Sequence, residues 1–181
     1  MRILLIIAAL ILYSCGFGNK ESNSNDASTE NVGSTESTKE VEVEKWRDWQ
    51  APASVGGYSL DALVLDPYKN SKLYSALAVY KNGADIFRVQ IVDGTTEKGK
   101  SEIRDHYKIA DQNLNTESDY GYEKNVVRNG IKTKEDHIAA TGDYMIKYLI
   151  NDTYGVSVKS NAESADKVWQ LIEALQLEKL N

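Results

Sequence analysis

YEKNVVRNGIKTKEDH, residues 122–137, decides the fold. Asn129-Gly130 is the dipeptide that a two-residue type I′ hairpin turn demands, because both central positions need positive φ. It predicts a hairpin of residues 122–128 with residues 131–137, in which Lys124 stands opposite Glu135 as a favourable cross-strand pair. The same register sets His137 against Tyr122, a packing contact rather than a proton relay. It also sets Glu123 against Asp136, with Lys134 diagonal on that face to neutralise both carboxylates.

Working outward, Thr141-Gly142-Asp143 turns the chain into residues 144–150, where Tyr144, Ile146, Tyr148 and Ile150 share one face. Asn151-Asp152 then leads to residues 154–159, completing a four-strand meander. Upstream, Asn82-Gly83 divides residues 73–81 from 85–92 and predicts a hairpin pairing Ala78 with Phe87, Ala76 with Val89 and Tyr74 with Ile91. A helix is expected over residues 97–114, with Ile103, Tyr107, Ala110 and Leu114 at helical spacing. A second starts at Ser160-Asn161-Ala162-Glu163, which fits a capping box, and continues along Ala165, Val168, Trp169, Ile172 and Leu175. The fold class is α+β: an antiparallel sheet, hairpin plus four-strand meander, packed with two amphipathic helices. Residues 51–67, with Gly56-Gly57 and two prolines, predict an irregular entry with a short strand or turn near Tyr58–Leu65.

The 181 residues carry a net charge of −6 and a single cysteine. That balance argues against nucleic acid, whose partners gather Lys and Arg. One Cys and two His exclude a disulfide framework and Cys-rich or His-rich metal centres, and no cofactor is expected.

Residues 1–14 read as an export signal: Arg2 precedes an apolar run over residues 3–13. Eleven helical residues span about 16 Å against a hydrocarbon core of about 30 Å, too short for a stable crossing. The run ends in Leu12-Tyr13-Ser14-Cys15, which resembles the lipobox of bacterial lipoproteins, with Tyr13 departing from the small residue usual there. That resemblance implies cleavage before Cys15 and acylation of its thiol and amine, anchoring the mature chain to a membrane. Gly16 follows where an Asp would favour inner-membrane retention, so the outer membrane is the expected address. Residues 16–45 hold eight Ser or Thr, four Asn and seven Asp or Glu. Such a segment buries too little surface to offset its ordering entropy and is expected to be a disordered tether. Residues 46–181 remain for one globular domain.

Val89-Gln90-Ile91-Val92-Asp93-Gly94, Asp119-Tyr120-Gly121-Tyr122-Glu123-Lys124 and the terminal Leu-rich helix resemble a group of secreted bacterial lipoproteins. The domain of that group is similar to the PsbP-type α/β sandwich of extrinsic photosystem proteins. The resemblance spans residues 58–180, supplies no catalytic residues, and implies non-catalytic binding or assembly.

Chemical motifs are sparse. No Gly-x-Ser-x-Gly elbow, Walker-type loop or His-Glu-x-x-His is present. His106 follows Glu102 by one helical turn and reads as a surface histidine paired with it. Residues 111–119 alternate oxygen side chains as an EF-hand loop does. However, Thr116 replaces the required Gly and Tyr122 the bidentate Glu, so a helix end and polar loop are expected, with no metal. Trp46, Trp49 and Tyr58 at the tether exit form either a core lid or an exposed recognition patch, with burial the default. The residues point first to a non-catalytic envelope lipoprotein that binds a ligand or an envelope protein partner. An envelope hydrolase with a site assembled from scattered residues, or a structural or stress accessory, are the alternatives.

Overall fold

The computed structural model of the chain describes residues 44–180. The signal segment, Cys15 and the expected tether up to residue 43 lie outside the described residues. Eleven strands and three α-helices follow in order. The strands are β1 (Lys45–Trp46), β2 (Trp49–Gln50), β3 (Ser54–Val55), β4 (Tyr58–Leu65), β5 (Ser75–Asn82) and β6 (Asp85–Asp93). After α1 (Glu97–Glu102) and α2 (Arg104–Lys108) come β7 (Asn115–Ser118), β8 (Gly121–Arg128), β9 (Ile131–Ile138), β10 (Asp143–Ile150) and β11 (Tyr154–Ser160). The last helix is α3 (Ala165–Ala174). β1 and β2 form a small hairpin, and the other nine strands make one antiparallel sheet in the order β3-β4-β5-β6-β11-β10-β9-β8-β7. The class is α+β with the sheet dominant. β11 returns beside β6 and thereby joins the β5–β6 hairpin to the β8–β11 meander.

The meander has the register its turns predict, with Lys124 opposite Glu135 and Tyr122 opposite His137. Asn129 (φ 51°) and Gly130 (φ 80°) both take the left-handed backbone that the I′ turn requires. The β5–β6 hairpin differs from expectation by one turn position. Asn82 pairs with Asp85, so the turn residues are Gly83 and Ala84, and Ala78 meets Val89 rather than Phe87. Gly83 alone has positive φ there, which suits a glycine-first turn and leaves Asn82 in the strand. The small residues keep their core face because the shift preserves the alternation. Tyr58–Leu65 is a full strand, not a fragment.

Both helices also depart from expectation. The stretch from Glu97 forms two short helices that meet at Ile103, and helical structure ends at Lys108. Residues beyond it must cross to β7, an edge strand in what reads as an EF-hand-like loop. α3 begins later than the capping box predicts: Ser164 is the cap, its hydroxyl accepting from Lys167 N–H at 3.1 Å. Ser160 belongs to β11, and its Oγ accepts from Ala162 N–H instead.

One sheet face carries the main core. Ala76, Ala78, Tyr80, Phe87, Val89, Ile91, Val156 and Val158 form one buried cluster with α3 residues Val168, Leu171 and Ile172. The β1–β2 hairpin closes the same face, with Trp49 Nε1 donating to the Leu175 carbonyl at 2.8 Å. The α1–α2 corner packs on the opposite face at Gly155, where a Cβ would lie 2.4 Å from Ile103 Cγ2. Only a glycine lets that corner approach so closely.

Candidate functional site

The meander buries an acid where a core-facing strand ordinarily buries hydrocarbon. Glu135 is 0% exposed, and donors from β8 and α3 converge on it. Tyr122 Oη donates to Oε1 at 2.7 Å and Trp169 Nε1 to Oε2 at 3.1 Å. Lys124 Nζ lies 3.3 Å from Oε1. Arg128 lies 3.9 Å from Oε2 while pairing with Asp166 at 2.9 Å, and its guanidinium sits over the Trp169 ring. Burial alone would raise the Glu135 pKa. The hydroxyl and indole hydrogen bonds and the Lys124 charge outweigh it and hold the carboxyl below its ordinary value. Burial and the neighbouring carboxylate push the Tyr122 hydroxyl up, which keeps it a donor. An ionised carboxylate with this many donors is a brace: it fixes Trp169 and Arg128 in position and has no task left as a base.

Beside the brace the sheet parts. β9 and β10 pair from Asp143–Ile138 down to Lys147–Lys134 and no further. β10 nevertheless runs on to Ile150 and β9 begins at Ile131, so residues 131–133 and 148–150 flank a fork with no ladder between them. A cleft of about 630 Å³ opens there. Trp169 and Ile172 of α3 line it on the core face, Ile109 and His106 on the other, and Tyr148 and Leu149 between them. Its rim mixes charge, with Arg128 and Lys132 against Asp152, Glu173 and Glu178. The tip of the β8–β9 hairpin is moored on both faces rather than to β10. Asn129 Nδ2 donates to Glu173 Oε1 at 3.0 Å, and Lys132 Nζ donates to the Ala110 carbonyl at 2.8 Å and to Asn113 Oδ1 at 3.3 Å.

His106 overturns the surface reading. It is 7% exposed, packed on β11 rather than paired with Glu102. Its Nε2 lies 3.2 Å from the Val156 carbonyl and 3.0 Å from Ser157 Oγ. A carbonyl can only accept, so the ring proton belongs on Nε2, and this nitrogen is not a free base for the Ser157 hydroxyl. Nδ1 is buried without a partner, and so lacks the orienting carboxylate of a Ser–His–Asp relay. Burial lowers the His106 pKa, with the Lys147 charge adding to that.

The other sequence candidates sort plainly. Trp46, Trp49 and Tyr58 are 1–3% exposed core residues and offer no recognition patch. Trp46 Nε1 donates to Asp66 Oδ1 at 2.8 Å, and its ring meets Tyr154 edge-on. Lys134 contacts both Glu123 and Asp136, as the diagonal predicts; Asp136 is raised by burial and by Glu123. His137 stacks on Tyr144 at 4.4 Å and leans on Tyr122 at 5.5 Å. Cys15 lies outside the described residues. Among the described residues no three His, Cys, Asp or Glu side chains gather as a metal ion would need, and no helix is long and apolar enough to cross a membrane.

The sequence did not bring the cleft residues together: it reads His106 as a surface histidine and Tyr148, Ile150, Trp169 and Ile172 only as members of apolar faces. The available signal was the inward face of β9, where Thr133, Glu135 and His137 stand in place of aliphatic side chains. A scan against protein-family models and searches of curated proteins and of solved structures each found no match.

Proposed function

We propose that the chain is a lipid-anchored envelope protein, held at the outer membrane through Cys15, whose domain binds a ligand without transforming it. The anchor rests on the lipobox-like Leu12-Tyr13-Ser14-Cys15, and the composition of residues 16–45 supports a spacer that lets the domain reach away from the bilayer. The PsbP-type resemblance also favours binding over catalysis. The observation that carries the binding role is the fork between β9 and β10, which opens an apolar-walled cleft of about 630 Å³. That volume lies in the range of small-ligand sites.

The arrangement around the cleft supports holding rather than reaction. Glu135 is saturated with donors, and the His106 proton sits on the nitrogen that faces Ser157. Nile red, an uncharged apolar dye, tests the cleft. It should bind the purified chain with a fluorescence rise, and Leu149→Asp, which puts a charge on the cleft wall at a half-buried position outside the core cluster, should abolish the rise. A chain that binds no dye refutes the site. For the anchor, Cys15→Ala should release the protein from the membrane fraction or leave an uncleaved precursor. Mass spectrometry showing an unmodified mature N-terminus refutes it.

A further inference from the structure

We propose that the occupant of the cleft is an extended apolar peptide segment of a partner protein, held by its main chain as a short strand inserted into the fork. The inference rests on the cleft being the binding site and goes further by naming what fills it.

The argument starts from which main-chain groups face the gap. Gly94 N–H donates to the Thr153 carbonyl at 2.9 Å. Tyr154 and Asp93 are paired, so this bond marks them as a non-hydrogen-bonded pair whose own groups point away from each other. Tyr154 therefore bonds towards β10, and alternation along β10 turns Ile150, Tyr148 and Ile146 to β11. It turns Leu149, Lys147 and Met145 to β9. On β9, Ala139 N–H donates to the Tyr120 carbonyl at 3.0 Å beside the Gly121–Ile138 pair, which by the same logic aims Ile138, Asp136, Lys134 and Lys132 at β10. Lys134 and Lys147 meet. Lys132 and Leu149 are the next pair in line and do not. Two N–H and two C=O groups thus point into the fork with no ladder partner.

Main-chain groups inside a protein are almost always paired, so a good occupant brings both donors and acceptors. A hydrocarbon tail brings neither. An extended peptide brings both, in the right directions: one residue presents its N–H and C=O to one side and its neighbour presents the same pair to the other. Because β9 and β10 are antiparallel, a segment antiparallel to β10 runs parallel to β9: one residue would complete Leu149, and its two neighbours would share Lys132, one through its C=O and the other through its N–H. Its side chains would alternate towards Trp169 and Ile172 on the core face and Ile109 on the opposite face, and all three of these lining residues are apolar. The rim sets Arg128 and Lys132 against Asp152, Glu173 and Glu178, so it offers no basic patch that would draw an acidic segment. Three residues are free on each edge, so the inserted stretch is about three to four residues long.

The test is titration calorimetry on the purified full chain with three probe sets, run alongside displacement of Nile red. The sets are a panel of N-acetylated tetrapeptide amides built from Val, Leu, Ile and Phe, the same panel N-methylated at the two central residues, and palmitate. N-methylation removes main-chain donors and leaves the side chains in place. Members of the first panel should bind and displace the dye, and their methylated versions should bind at least tenfold more weakly. Equal binding by methylated peptides overturns the inference. So does displacement by palmitate with none by any peptide, and in both cases the cleft itself stands. Absence of dye binding to begin with would instead remove the site on which the inference rests.

Discussion

The sheet is two structures joined at β10. From β5 through β6 to β11, the inward side chains are mainly apolar: Ala76, Ala78, Tyr80, Phe87, Val89, Ile91 and Val156 are each 0% exposed, and the buried polar exceptions, Asp93 and Ser160, stand at strand ends. Beyond β10, the strands β7, β8 and β9 contribute no apolar residue to the buried core, and their buried side chains are Thr133 and Glu135. The first half is held by buried area, about 25 cal/mol per Å² of apolar surface, which does not depend on direction. The second half hangs on a ladder and on directional polar bonds, each contributing about 1 kcal/mol net. That difference shows why the sheet opens between β9 and β10 and nowhere in the closed half. Parting β9 from its neighbour breaks no apolar seam, whereas parting β6 from β11 would expose one.

The sharpest way to break this comparison is to damage each half in turn. Ile91→Ala removes a fully buried side chain and should cost about 2–5 kcal/mol, lowering the urea midpoint of the whole domain. A cost below about 1 kcal/mol would mean the closed half is not the stabilising one.

Glu135→Ala should cost less, about 1–3 kcal/mol, because it strands Tyr122 Oη and Trp169 Nε1 without an acceptor. Its signature is locality. Hydrogen exchange should quicken in β8 and β9 while β6 and β11 keep their protection. Uniform loss of protection would show that the two halves are one cooperative unit. The carboxyl is held below its ordinary pKa, so its contribution is present above the unfolded value of about 4.3 and is lost as pH falls through the folded one. Glu135→Gln should flatten that acid limb.

Gly130→Val probes the hinge end of the open half. A Cβ there meets nothing within 4 Å, while φ is +80°. The cost is therefore backbone strain alone, about 1–2 kcal/mol, read as a shift in denaturation midpoint. No shift would mean that the tip relaxes freely out of its I′ turn.

What the sequence shows and hides follows the same division. Local signals carried the meander: Asn129-Gly130 set its register, and alternation placed Tyr144, Ile146, Tyr148 and Ile150 on one face. The β6–β11 pairing joins segments some sixty residues apart and has no local cue. The expected long helix stops at Lys108 because the chain has to cross the sheet to reach β7, a tertiary demand that helical spacing does not record. The fork is the least legible feature, since it is a missing pairing between neighbouring strands. Its causes are moorings remote in sequence, Asn129 to Glu173 and Lys132 to Ala110. Only the polar inward face of β9, Thr133 and Glu135 above all, hinted that this strand would not be gripped by hydrocarbon.

The smallest effect separates the two faces of the cleft. His106 projects from α2 on the side away from Trp169, buried against β11. Burial and the Lys147 charge lower its pKa, opposed more weakly by the Val156 carbonyl and by Asp105 and Glu102. The folded chain therefore holds fewer protons at this site than the unfolded chain, so stability rises with pH here. It should begin to fall as pH drops through the unfolded value of about 6.5 and go on falling until the folded value is passed. His106→Gln has no proton to gain, and its amide can still donate to the Val156 carbonyl. The variant should lose the pH dependence between 7.5 and 5.5 while keeping its midpoint at pH 7.5 close to that of the parent. Thermal melts across that window decide it. An unchanged slope in the variant would assign the dependence to another group, and a slope of opposite sign in the parent would mean that His106 is charged in the folded chain.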